Sequence, residues 1–124
     1  METNVRHLPR LSLASAMRIY GLTARALRFY EERGLLSARR DRLNARYYDP
    51  EARQRLDWIA RLRQGGVSLE DIRDILAAED GDERRRELAL GALARKQTEL
   101  EDQLARIRTT RRALEGAADQ RAAV

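Results

Sequence analysis

The chain has 124 residues, with 25 Lys+Arg against 20 Asp+Glu, 36% charged side chains and no cysteine. That length holds one small domain plus one extended element, not two full domains, and so charged a composition suits an elongated helical molecule. The missing cysteine excludes disulfides, thiolate nucleophiles and thiolate metal sites together.

Residues 1–10 read as a flexible tail, and its lone His7 has no ligand-type neighbour. Ser12 caps a short helix to Tyr20, because Leu13, Ala16, Met17 and Tyr20 recur at helical spacing. Gly21 breaks it, and Thr23 caps a second helix over residues 24–33 with Ala26, Leu27 and Tyr30 on its apolar face. Two short helices around a glycine turn form a helix-turn-helix pattern.

Residues 35–48 change character. Leu35-Leu36 begin an extended piece, the stretch from Arg39 to Arg46 is polar, and Tyr47-Tyr48 resume β-type residues. Asn44 is placed to take the left-handed conformation of a hairpin tip. The spacing predicts a two-stranded wing carrying Arg39, Arg40, Arg42 and Arg46. Asp49-Pro50 opens a third helix with Ala52, Leu56, Ile59 and Ala60 on one face and Trp58 in the core; Gly65-Gly66 closes it. Ser68-Leu69-Glu70-Asp71 starts a fourth, with Leu69, Ile72, Ile75 and Leu76 inward. Glu79-Asp80-Gly81-Asp82 is an acidic break.

From Glu83 to Glu115 the pattern becomes one long helix. Leu93, Leu100, Ile107 and Leu114 recur every seven residues, and Leu90, Gln97, Leu104 and Arg111 precede them by three. Six of these eight seam positions are apolar, a heptad stripe that a lone helix cannot bury. A partner chain is expected to cover it. The divisions are then a tail (1–10), a winged helix-turn-helix domain (11–80), a dimerisation helix (83–115) and a short tail (116–124).

Charge is unevenly spread. Residues 1–66 hold 14 arginines and 7 acids, net +7; residues 67–124 hold 11 basic and 13 acidic groups, net −2, giving +5 overall. A basic half beside a nearly neutral one points to polyanion contact in the first and assembly in the second. Lys96 is the one lysine against 24 arginines, and the forked guanidinium suits phosphate and guanine. Arg25 and Arg28, three apart, share the face of the second helix opposite Leu27 and are placed for guanine or phosphate. Arg18 suits the DNA backbone, the wing arginines suit phosphate or the minor groove, and Arg53 and Arg55 come second.

Three motifs in order resemble the MerR family of bacterial transcription regulators. Gly21-Leu22-Thr23-Ala24-Arg25-Ala26-Leu27-Arg28-Phe29-Tyr30-Glu31-Glu32-Arg33-Gly34-Leu35-Leu36 is similar to its helix-turn-helix signature, Asn44-Ala45-Arg46-Tyr47-Tyr48 to its wing, and Arg63-Gln64-Gly65-Gly66-Val67-Ser68-Leu69-Glu70-Asp71-Ile72 to its later turn. Asn44 and Ala45 stand where the family has Gly-Tyr. The resemblance implies a mainly α fold: a winged helix-turn-helix DNA-binding domain, then a long helix forming an antiparallel coiled coil. It implies a homodimer on inverted repeats in double-stranded promoter DNA, distorting an over-long spacer for RNA polymerase. By similarity, Thr23 joins the DNA-binding set, and the hydroxyls of Tyr30 and Tyr48 become phosphate donors. Leu90, Leu93, Leu100, Leu104, Ile107 and Leu114 become the dimer seam.

No cofactor or metal is expected, and thiolate metal or redox sensing has no residues to use. Only ten residues follow Leu114, so a fused effector domain is not expected. No paired carboxylates, nucleophile–base pair or phosphate loop suggests an enzyme. A second class stays open: a MerR-like protein-interaction module of the chaperone-modulator type, which would not need the arginines of the second helix and wing. No run approaches the roughly 18 apolar residues of a membrane span and no signal peptide opens the chain, so a cytoplasmic, nucleoid-associated protein is expected.

Overall fold

The computed structural model describes residues 10–78 and 81–122. In chain order the elements are β1 (Leu11–Ser12), α1 (Leu13–Tyr20), α2 (Ala24–Glu32), β2 (Arg39–Arg40), β3 (Arg46–Tyr48), α3 (Pro50–Gln64), α4 (Leu69–Leu76) and α5 (Asp82–Ala122). His7 and the tail's first nine residues lie outside the described part, as do Glu79 and Asp80 of the acidic break.

Four helices start where a polar side chain takes up a free backbone N–H. Ser12 accepts from Ser15 N, Thr23 from Ala26 N, Asp49 from Ala52 N and Ser68 from Asp71 N. Each bond satisfies a donor that the first helical turn leaves open. Gly21 ends α1 in the left-handed region at φ 64°, where a side chain would cost energy, so the chain can turn sharply into α2.

The sheet has order β1-β3-β2 and is antiparallel throughout. Leu11 pairs with Tyr48 and Ser12 with Tyr47; Arg39 pairs with Tyr47 and Arg40 with Arg46. The strand β1 has no counterpart in the sequence reading, because two residues are too few to show an alternation. Leu35 and Leu36 form no strand but are both buried.

The core gathers Ala16, Leu27, Tyr30, Leu35, Tyr48, Leu56, Ile59, Leu62 and Ile72 from α1 through α4. Trp58 is only half-buried at its edge. Helix α5 is longer than its heptads suggest and continues through Gly116 to Ala122; alanine's high propensity carries the helix over one glycine that costs roughly 1 kcal/mol. Its 41 residues span roughly 60 Å.

Its two parts differ. Ala89 and Ala92 are buried, and Leu88 and Leu93 pack beside them on the domain. Leu93, expected in the dimer seam, is therefore partly taken up by its own chain. A Cβ on Gly65 would lie 2.6 Å from Leu93 Cδ2, so the bare glycine lets α5 pass close to the end of α3. From Gln97 to Arg121 every residue is exposed, including Leu100, Leu104, Ile107 and Leu114.

Candidate nucleic-acid interface

Helix α2 is sorted by its own period. Leu27 is fully buried and Tyr30 is buried beside it, so Arg25 and Arg28 fall on the outer face. Both are exposed, as is Arg18 in the last turn of α1, and none of the three has an ion pair or hydrogen bond among the described residues. Thr23 stands at the helix start with its Oγ1 engaged by Ala26 N at 3.0 Å. Tyr30, expected to offer its hydroxyl to phosphate, packs in the core. Arg33 lies 5.0 Å over the Phe29 ring, and its carbonyl accepts from Arg73 Nη2 at 2.6 Å.

The wing tip is a three-residue loop closed by backbone bonds. Asp41 N donates to Ala45 O and Asn44 N to Asp41 O, each at 3.0 Å. Asn44 takes φ 65°, the left-handed geometry its position predicts. Asp41 Oδ1 accepts from Leu43 N and Ala45 N at 2.9 Å each, and Arg40 Nη1 donates to Asn44 O at 2.9 Å.

The four wing arginines do not act alike. Arg46 donates to both carboxylate oxygens of Glu31 on α2, and the Tyr48 hydroxyl donates to Glu31 Oε2 at 3.3 Å. The side chains of Arg46 and Glu31 are only 22% and 16% exposed. The Arg46 guanidinium and the Tyr48 hydroxyl, expected at phosphate, are thus engaged with Glu31 within the chain. Arg39 pairs with Asp49 at 2.9 Å while remaining exposed, and Arg40 braces the turn. Arg42 is exposed with no partner among the described residues.

Two further arginines are engaged within the domain. Arg55, a second-rank DNA candidate, donates from Nε to Leu35 O at 2.9 Å; burial, and then the charge of Arg85, lower its pKa. Arg53, the other, hydrogen-bonds Tyr20, whose pKa is raised by burial and by Asp57 against that bond. Arg10 lies 4.5 Å over the Tyr47 ring, a cation–π contact beside the wing that the loose-tail reading did not suggest. Glu31 has no signature in the sequence: its role depends on β3 folding back beside α2, which no local spacing reveals.

Comparison with known proteins fits this architecture. The MerR HTH family regulatory protein description matches residues 11–79, more than half of the chain. The chain belongs to the MerR family. A second description, MerR, DNA binding, matches residues 53–117. The ZntR homolog of Haemophilus influenzae, an HTH-type transcriptional regulator, is 30% identical over 78 residues, covering 62% of this chain and 58% of that protein. The chain thus spans less than two thirds of the length of that curated relative.

Among solved structures, HiNmlR, a MerR family regulator lacking the sensor domain and bound to promoter DNA, is 27% identical at a TM-score of 0.58, covering 82% of this chain and 77% of its own. SkgA of Caulobacter crescentus is 28% identical at 0.56, covering 82% and 71%. A MerR regulator of Bacillus cereus, 22% identical at 0.66 and covering 82% and 75%, shares the fold.

The wing joint gives a pH signature. Burial, then the Glu31 charge and the hydrogen bond to it, push the Tyr48 phenol up to about 12 from 10.0. Below pH 10 both folded and unfolded chains hold the proton, and the stabilisation is complete. Above it the unfolded chain releases the proton first, so stability is lost as pH rises towards 12. Urea titrations of the wild type should show this alkaline loss, and Tyr48→Phe should lessen it. Equal pH slopes for the two proteins would place the phenol in an ordinary environment.

Proposed function

We propose that this MerR-family chain is a homodimeric, sequence-specific regulator of transcription that sets α2 in the major groove of promoter DNA. The observation that carries the reading is the pair of exposed, unengaged guanidiniums of Arg25 and Arg28 on the outer face of α2. HiNmlR, similar over 82% of this chain, lends support as a relative bound to promoter DNA. The relatives found are transcription regulators, not enzymes. Among the described residues no helix is long and apolar enough to cross a membrane.

In this reading Arg25 and Arg28 reach base edges or adjacent phosphates. Thr23 sits at the helix end nearest the backbone, Arg18 holds phosphate from α1, and Arg42 with Arg39 and Arg40 follows the flanking strand. Arg46 and Tyr48 act through Glu31 by fixing the wing. Two copies joined along α5 read an inverted repeat, and bending of an over-long spacer presents the promoter to RNA polymerase.

The exposed stripe of Leu100, Leu104, Ile107 and Leu114 supports the pairing of α5 with a second copy. An antiparallel register with Leu104 on the second copy's Ile107 sets the acids Glu99, Glu101 and Asp102 against the basic run from Arg106 to Arg112. Apolar seam and flanking charges then favour one arrangement.

Removing the base contact should separate reading from clamping. Arg25→Ala is expected to cost roughly 1–3 kcal/mol on the preferred site and less on random DNA, measured by fluorescence anisotropy. Equal losses on both would make Arg25 a phosphate contact only. The four unengaged arginines Arg18, Arg25, Arg28 and Arg42 give a dimer about eight cationic contacts, so log K should fall with log salt with a slope of about −7. A slope shallower than about −3 would favour a protein partner over DNA.

Assembly has its own test. Leu104→Arg buries charge at the seam centre and should yield monomers in sedimentation velocity at concentrations where the wild type is dimeric. A mutant that stays dimeric would put the interface elsewhere.

A further inference from the structure

The wing tip carries a large apolar side chain that the fold does not bury. Leu43, at the tip, is 89% exposed, far more than the other large apolar side chains described. The turn needs only its backbone N–H, held by Asp41 Oδ1 at 2.9 Å. The left-handed residue is Asn44, and closure comes from Asp41, Asn44 and Ala45.

A lone exposed leucine on a protein surface is ordinary. This one stands on a protruding loop whose geometry is closed from both sides, so its position is set before any partner arrives. Its surroundings are also particular. With Arg46 turned onto Glu31, Arg39 onto Asp49 and Arg40 onto Asn44 O, the tip carries the unengaged guanidinium of Arg42 and the exposed isobutyl group of Leu43 at consecutive positions.

That pairing of one cation with one apolar group matches the minor groove of duplex DNA. The groove's negative potential attracts an arginine, and its walls are the apolar faces of deoxyribose. A phosphate clamp alone would have no use for the leucine.

We propose that Leu43 is a minor-groove contact that packs on the sugar walls and is obstructed by the 2-amino group of guanine. The wing then prefers A·T over G·C at flanking positions that α2 does not reach. This rests on the DNA-binding reading above and adds to it a residue that sets specificity outside the major groove.

The test uses the full-length protein and duplexes that it selects from a random pool. Each flanking pair is changed among A·T, G·C and inosine·C, since inosine keeps the major-groove face of guanine but lacks the 2-amino group. At one flanking position per half-site, G·C should weaken wild-type binding about five- to tenfold and inosine·C should restore it. Leu43→Ala should bind the A·T duplex about fivefold more weakly, lose the distinction between G·C and inosine·C, and keep the salt slope, as no charge is removed. Leu43→Met should retain most of the preference. The high exposure of Leu43 predicts unchanged thermal unfolding for both variants.

Wild-type binding that treats G·C and inosine·C alike at every flanking pair, or a Leu43→Ala protein with wild-type preferences, overturns the proposal while DNA binding stands. A wild type that binds no duplex overturns the DNA-binding reading, and this inference with it.

Discussion

The carboxylate of Glu31, held by the Arg46 guanidinium and the Tyr48 hydroxyl, joins the second helix to the wing. Both surfaces proposed to meet DNA hang from that joint. Helix α2 presents Arg25 and Arg28 because Leu27 and Tyr30 lock its other face into the core, and β3 carries the tip because Tyr48 is buried beneath it. A half-buried ion pair adds little net stability over a well-packed apolar substitute, but removing one partner leaves the other charge partly stranded away from water. Its contribution is geometric: it fixes α2 and the wing relative to one another, and a surface ordered in advance loses less freedom when a partner binds.

The arginines divide accordingly. Arg46, Arg55, Arg73 and Arg85 bind a carboxylate or the carbonyls of Leu35, Arg33 and Leu76, tying one element of the fold to another. Arg18, Arg25, Arg28 and Arg42 are exposed and unengaged among the described residues. A count of basic residues overstates the surface proposed to meet DNA, because one side-chain type serves both as brace and as the proposed contact. The forked, always-charged guanidinium suits both tasks.

Local signals were legible in the sequence. Ser12, Thr23, Asp49 and Ser68 cap the helices they were read to cap, and Asn44 adopts the left-handed turn expected of it. Such features depend on neighbours a few residues away. The strand at Leu11–Ser12, the turning of Arg46 and Tyr48 onto Glu31, and the packing of Leu93 beside Gly65 depend on contacts across the fold, and no spacing announces them. Helix α5 shows both kinds: its heptads mark the exposed stripe correctly, while its first turns serve the domain core instead.

The most direct measurement is a double-mutant cycle on Glu31 and Arg46, with unfolding free energies of the wild type, Glu31→Ala, Arg46→Ala and the double variant at pH 7. A joint that couples helix to wing gives an interaction energy of about 1–3 kcal/mol, with the double variant losing less than the two single losses combined. Single losses that add to within about 0.5 kcal/mol would mean that Glu31 and Arg46 act independently, and that the wing is not held on α2 by this contact.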